Sequence, residues 1–189
     1  MAARLLKWAD HRRMPWKNGG GESIEIAIGP AGTGLDDFDW RVSLARVERD
    51  GPFSTFPGID RILSVVEGCG IDLVFGPEDQ ASLTLADEPY GFPGDAAVSG
   101  RLLDGPIIDL NVMSRRGRAN ATVERITGAW HGEVAPAGAG LFYCQDGRVD
   151  VSLRGETAPL GSGDALRIDG PSRVFAEIEG SAYWIEIRL

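Results

Sequence analysis

Two arginines, a carboxylate, an amide and a hydroxyl recur at alternate positions of short apolar runs. Arg41 and Ser43 do so in FDWRVSLARV, Arg61 in RILSVVEG, and Asp109 and Asn111 in GPIIDLNVMSR. Residues two apart on a strand share a face, so each run offers one apolar face and one that carries hydrogen-bonding groups. If these are central strands of a small barrel, the polar face points into the lumen, where such groups must be paired or occupied by a ligand. A lumen holding Arg41, Ser43, Arg61, Asp109 and Asn111 suits a small anionic metabolite, because guanidinium grips a carboxylate through two parallel bonds. Two plainer arrangements use the same residues: an internal Arg41–Asp109 ion pair, or a register that turns the polar face to water. A bare acid–base pair of Asp109 with Glu67, which alternates with Arg61, Leu63 and Val65, is the catalytic version of the site.

Metal chemistry has few donors to draw on. The chain contains two histidines, His11 and His131, neither in an HxH or HxxxE neighbourhood, and both read as surface or capping residues. Cys69 and Cys144 lack CxxC spacing and read as free, buried thiols. No metal and no cofactor is expected. A GxSxG elbow is missing, so a serine triad has no support. WKNGGG places its lysine ahead of the glycines, with no Ser or Thr and no helix after them, so it is not a phosphate loop. It reads instead as a loop whose backbone comes close over a pocket mouth, with Trp16, Lys17 and Asn18 as contacts.

The elements that must position these groups are strands. SIEIAI alternates Ile24, Ile26 and Ile28 with Ser23, Glu25 and Ala27; FDWRVSLARV alternates Phe38, Trp40, Val42 and Leu44 with Asp39, Arg41, Ser43 and Ala45. RILSVVEG and GIDLVF, separated by Gly68, Cys69 and Gly70, read as a hairpin. Beyond Arg118 short runs resume, with turns expected at Asp146-Gly147, Gly163-Asp164 and Asp169-Gly170. No segment sustains a helical period, and only a short turn of helix is expected, near Leu35 to Asp37 or in the N-terminal arm. The fold class is all-β. Faint self-similarity between the halves favours two stacked barrels over one long sandwich, divided into 1–118, with the arm in the first barrel, and 119–189, packed closely on it.

Of the 189 residues, 43% are hydrophobic, and 26 Gly and 11 Pro punctuate the apolar runs, which fits a globular chain with many turns. The formal charge of −9 opposes nucleic acid and anionic membrane surfaces, so Arg115, Arg116 and Arg118 read as a solvated strand end. With no apolar run long enough to span a membrane, the expected location is the cytoplasm. Open barrel edges leave room for a homodimer.

PWKNGGGESIEIA, FDWRVSLARV, DGPFSTFPGIDRIL, PYGFPGD and GPIIDLNVMSRR, in this order, closely resemble the HutD family, also called the Ves family. The resemblance is strong from the arm to about Arg118 and less specific beyond it. It implies a bicupin, two jelly-roll-like β-barrels in one compact chain, without the histidine metal ligands of enzymatic cupins. It also implies an accessory or regulatory role in histidine utilisation, with N-formylglutamate or a related catabolite as ligand. The family blocks contain Trp16, Lys17, Asn18, Trp40, Arg41, Ser43, Phe53, Phe56, Asp60, Arg61, Asp109, Asn111 and Arg115. From these, Trp16, Lys17, Asn18, Trp40, Arg41, Ser43, Phe53, Arg61, Asp109 and Asn111 form the candidate ligand site. A non-catalytic binding protein is the favoured reading; the alternative is a metal-independent isomerase or hydrolase acting on a small acid.

Overall fold

A computed structural model describes residues 2–16 and 19–189. In chain order the strands are β1 (Ala2–Leu6), β2 (Arg12–Pro15), β3 (Gly21–Gly29), β4 (Trp40–Val47), β5 (Gly51–Pro52), β6 (Ile59–Glu67), β7 (Ile71–Val74) and β8 (Gln80–Leu83). They continue with β9 (Tyr90–Pro93), β10 (Ser99–Leu102), β11 (Ile107–Arg115), β12 (Asn120–Val134), β13 (Gly138–Leu153), β14 (Glu156–Gly161), β15 (Ala165–Asp169) and β16 (Ser172–Arg188). One turn of 3-10 helix, Trp8–Asp10, lies in the arm. Among the described residues no helix is long and apolar enough to cross a membrane.

The chain divides into a first unit, Arg12–Arg118, and a second made of the arm up to His11 together with Ala119–Leu189. The arm was expected with the first barrel. It belongs to the second, because β1 pairs with β15 along Ala2↔Asp169 to Leu6↔Ala165. Asp164 pins it there, accepting bonds from Lys7 Nζ at 2.7 Å and from the Trp8 backbone N–H at 3.0 Å. His11, read as a surface or capping residue, is buried, with its ring Nε2 3.1 Å from the Gly163 carbonyl and its edge against Trp8.

In the first unit a six-stranded antiparallel sheet, β2-β3-β4-β11-β6-β9, faces a smaller one, β5-β10-β7-β8. The apolar half of the interior joins Ala45, Leu63, Val65 and Phe92 of the large sheet to Ile71 and Leu73 of the small one, with Leu83 and Val98. Each large side chain removed from water there contributes about 1.5–3 kcal/mol. The expected β6–β7 hairpin does not form. β7 pairs with β10 and β8, so the chain leaves one sheet for the other at Gly68 and Gly70. Both have positive φ, +93° and +135°, and a side chain at Gly70 would meet the Leu83 carbonyl at 2.5 Å. Pro93 is tolerated because β9 is an edge strand, where a missing N–H costs no ladder bond.

The second unit is one sheet, β1-β15-β13-β16-β12 with β14 on the other half of β13. Its three long strands bend at glycine. β12 shifts register between Ile126 and Gly128, and β13 shifts against β16 between Cys144 and Asp146, just before Gly147 meets Gly180. Asp146-Gly147 is therefore a bend inside β13 rather than the expected turn. Gly147 has φ +80°, and a Cβ there would collide with the Glu179 carbonyl oxygen. The concave face gathers Phe142, Cys144, Val149, Val151, Leu166, Ile168, Val174 and Trp184 into an apolar core.

The bend makes a stability prediction. Gly147→Ala is expected to cost roughly 3–5 kcal/mol, a left-handed backbone plus a backbone clash. Gly155→Ala, in the β13–β14 turn at φ +87° with open space around it, is expected to cost about 1 kcal/mol. Urea unfolding of both variants measures the gap, and equal losses would mean that the bend is not sterically enforced.

Candidate functional site

β11 lies between β4 and β6, and this central position buries the polar face that the sequence singled out. Register sets Asn111 opposite Ser43 and Leu63, Met113 opposite Arg41 and Arg61, and Asp109 opposite Ala45 and Val65. Arg41, Ser43, Arg61, Asp109 and Asn111 thus share the inner face of the large sheet, and all five are buried, Asp109 completely.

Their pairing differs from the simple ion pair considered above. Arg41 Nε donates to Glu25 Oε2 at 2.9 Å, across β3 and β4, where Glu25 is opposite Ser43. Arg61 Nε donates to Asn111 Oδ1 at 3.4 Å and its Nη1 to the Ser54 carbonyl at 3.4 Å. The Arg61 guanidinium lies among three rings, 5.0 Å from the Phe53 centroid, 5.2 Å from Phe92 and 6.0 Å from Phe56. Such stacking covers the faces of the cation and leaves its in-plane N–H groups for an anion. Within this group three buried polar atoms have no hydrogen-bond partner among the described residues: Arg41 Nη2 and both carboxylate oxygens of Asp109.

Burial raises the Asp109 pKa from 3.8 to about 7, against the opposing attraction of Arg61. Desolvation likewise lowers Arg61 to about 10, opposed by Asp109 and reinforced by Arg41. Both groups titrate away from their ordinary values because the surroundings penalise charge. Arg61 nonetheless stays protonated at neutral pH, while Asp109 is poised to exchange its proton there.

Other site expectations fare differently. Trp16 borders the same interior, its indole N–H donating to Ser23 Oγ at 2.9 Å and its ring packing on the apolar cluster. Phe53 joins it there and covers Arg61. Lys17 and Asn18 lie outside the described residues. Trp40 is not brought to the group: alternation on β4 turns it to the opposite face from Arg41, where its ring lies over Gly29. Glu67 is also absent from the site, because a register shift sets it opposite Ile108 rather than Asp109 and leaves it exposed. Arg115 is a structural pin, donating to the carbonyls of Phe38 at 2.8 Å and Asp36 at 3.2 Å. Arg116 and Arg118 make exposed ion pairs with Asp60 and Asp39.

The sequence reading missed Glu25 and Phe92. Glu25 had a signal, since it alternates with Ser23 on the strand beside Arg41; Phe92, in YGFP, had none beyond an edge-strand proline. Cys69, expected to be buried, is exposed in the β6–β7 turn, while Cys144 is buried and its thiol is pushed up to about 11, chiefly by desolvation. Among the described residues no three His, Cys, Asp or Glu side chains group to hold a metal ion. Within the polar interior, the carboxylates of Glu25 and Asp109 share their space with two guanidinium groups, which oppose a metal cation.

The HutD family model matches residues 8–184. An uncharacterized 21.2 kDa protein in the hutC 3' region of Pseudomonas putida is 37% identical over 186 residues, 97% of this chain and 96% of that one. A conserved protein of unknown function from Pseudomonas aeruginosa PAO1 superposes with a TM-score of 0.87 at 35% identity, covering 100% of this chain and 98% of the other. HutD from Pseudomonas fluorescens SBW25, determined in a formate condition, superposes with a TM-score of 0.85 at 34% identity over 99% and 98% of the two chains. The two-unit, all-β architecture is the bicupin fold of these structures. A match of this length and identity makes the chain a member of the HutD/Ves family.

Proposed function

We propose that this chain is a metal-free cupin that binds a small carboxylate metabolite inside its first barrel and serves histidine utilisation as an accessory or regulatory protein of the cytoplasm. N-formylglutamate or a related histidine catabolite is the ligand class. The observation that carries the reading is the buried guanidinium Nη2 of Arg41, left without a partner on the same face as Arg61 and Asn111. An unmade hydrogen bond at a buried charged donor costs several kcal/mol, and a ligand carboxylate would make it. The family relationship supports the biological setting, since relatives carry the HutD name and a position beside hutC.

Charge balance supports an anion as well. With Arg41 and Arg61 cationic, Glu25 anionic and Asp109 protonated, the group carries one positive charge, which one carboxylate of the ligand neutralises. Once Asp109 ionises the group is neutral, and an incoming anion meets a like charge. The same carboxyl, poised near neutrality and without a hydrogen-bond partner among the described residues, favours one second reading, a metal-independent isomerase or hydrolase with Asp109 as general base.

Calorimetric titration of the purified protein with N-formylglutamate, formiminoglutamate, urocanate and glutamate is expected to show saturable binding by at least one. Arg61→Lys is expected to weaken it tenfold or more, because an ammonium cannot present two parallel donors. No heat with any of the four would sink the proposal. Mass spectrometry of the same mixtures separates the readings: unchanged ligand fits a binding protein, and conversion that Asp109→Asn abolishes fits the enzyme.

The titration of Asp109 sets the pH dependence. The folded chain keeps a proton between pH 4 and 7 that the unfolded chain releases near 4, so burial of this group makes stability fall across that window and level off above it. The slope is at most about 1.4 kcal/mol per pH unit. The unfolding free energy of Asp109→Asn minus that of the native chain should therefore rise from pH 5 to 7 and stay flat above 7. Parallel profiles would show that Asp109 ionises freely. Carboxylate affinity of the native chain is expected to drop above pH 7 by up to tenfold per unit, a drop that Asp109→Asn removes.

A further inference from the structure

The second unit has an apolar core, yet the open end of its bent sheet is not apolar. A cavity of about 590 Å³ lies against β12 and β16, lined among others by Thr122, Glu124, Trp130, Glu133, Trp184 and Glu186. That volume is within the range of small-molecule sites. We propose that this cavity binds a small organic cation, of the quaternary or methylated ammonium class, between its indole rings and its carboxylates.

Three observations carry the inference. The first is the aromatic wall. Trp130 and Trp184 have ring centroids 4.8 Å apart at 45°, backed by Phe142 at 5.2 Å and 4.7 Å. Indole offers the strongest face for a cation; the half-buried Trp130 presents it here, and the buried Trp184 of the apolar core backs it. The second is how the rings are held. A Cβ at Gly132 would collide with the Trp130 ring and one at Gly140 with the Trp184 ring, so both indoles lie where only glycine leaves room. Trp130 Nε1 donates to Glu124 Oε2 at 3.4 Å, which ties one ring to one carboxylate.

The third is electrostatic. The lining holds three glutamates; Glu133 is ion-paired with Arg173 at 3.0 Å and Glu186 with Arg188, so among the described residues Glu124 supplies the carboxylate charge that no arginine offsets. Glu186 is only 15% exposed and is fixed by two bonds from Arg188, at 3.0 Å and 2.9 Å. Carboxylates spread around the wall in this way do not group as a metal site among the described residues. A cation with diffuse charge and apolar substituents is held by ring faces and long-range attraction rather than by converging oxygens, and it fits where a metal ion does not. The sign is opposite to that of the Arg41–Arg61 group, so the two sites select different ligands.

The test uses the full chain and a matched pair of probes, choline and its uncharged isostere 3,3-dimethyl-1-butanol. Indole N–H resonances of the five tryptophans are followed in heteronuclear NMR, with Trp130→Phe and Trp184→Phe assigning two of them. Choline is expected to shift the Trp130 and Trp184 signals saturably, with the alcohol at least tenfold weaker and acetate without effect on these two. Glu124→Gln, on an exposed residue and checked for an unchanged unfolding midpoint, is expected to weaken choline severalfold. Equal binding of the alcohol would reduce the cavity to an apolar cleft and overturn the proposal. So would the lack of a saturable shift with choline, or an unchanged affinity in a folded Glu124→Gln variant.

Discussion

Two guanidinium groups inside one small barrel set the terms for the rest of the first unit. Bringing each out of water costs several kcal/mol even after relaxation, and the surrounding strands supply what offsets that cost. Glu25 reaches Arg41 from the next strand at 2.9 Å, Asn111 and the Ser54 carbonyl take bonds from Arg61, and the rings of Phe53 and Phe92 cover its faces. Placement of β11 at the centre of the sheet is what makes this possible, since only a strand with neighbours on both sides presents Asp109 and Asn111 between Arg41 and Arg61.

The two units solve the same closure problem with different interiors. In the second, Gly147 and Gly180 let long strands bend over an apolar core, with Phe142, Val149 and Ile168 at its centre. In the first, the chain changes sheets at Gly68 and Gly70, and about half of the enclosed face is apolar. The polar half is concentrated on β4, β6 and β11 rather than scattered, so it reads as a built feature and not as imperfect packing.

Much of this was legible in alternation alone, and the failures have specific physical causes. Arg41, Ser43, Asp109 and Asn111 share a face because β4 and β11 run without interruption through those positions. β3 does not. Its register shifts between Glu25 and Ala27, and Ile28, counted with Ile24 and Ile26, ends opposite Arg41 and packs with Phe38 and Met113. A bulge leaves no reliable mark on composition, so period-two counting carries straight across it. Glu67 was misplaced on β6 for the same reason. Asp146-Gly147 carried a turn signal that tertiary pairing with Gly180 converted into a bend, and the arm's allegiance to β15 is a long-range pairing that no local pattern encodes.

A cupin that gathers imidazoles places a mobile cation at the centre of its barrel and lets anionic ligands come to it. Here the cations are covalent parts of the chain, fixed by the ladder of β4, β6 and β11. The adjustable charge within this group is the proton on Asp109, whose carboxyl is completely buried and titrates near neutrality. Fixed guanidiniums cannot be loaded or removed, so for the proposed anionic ligand selectivity would come from geometry and from that one proton. A carboxylate bound there as proposed would be recognised by shape and protonation state, a property suited to sensing or holding a metabolite.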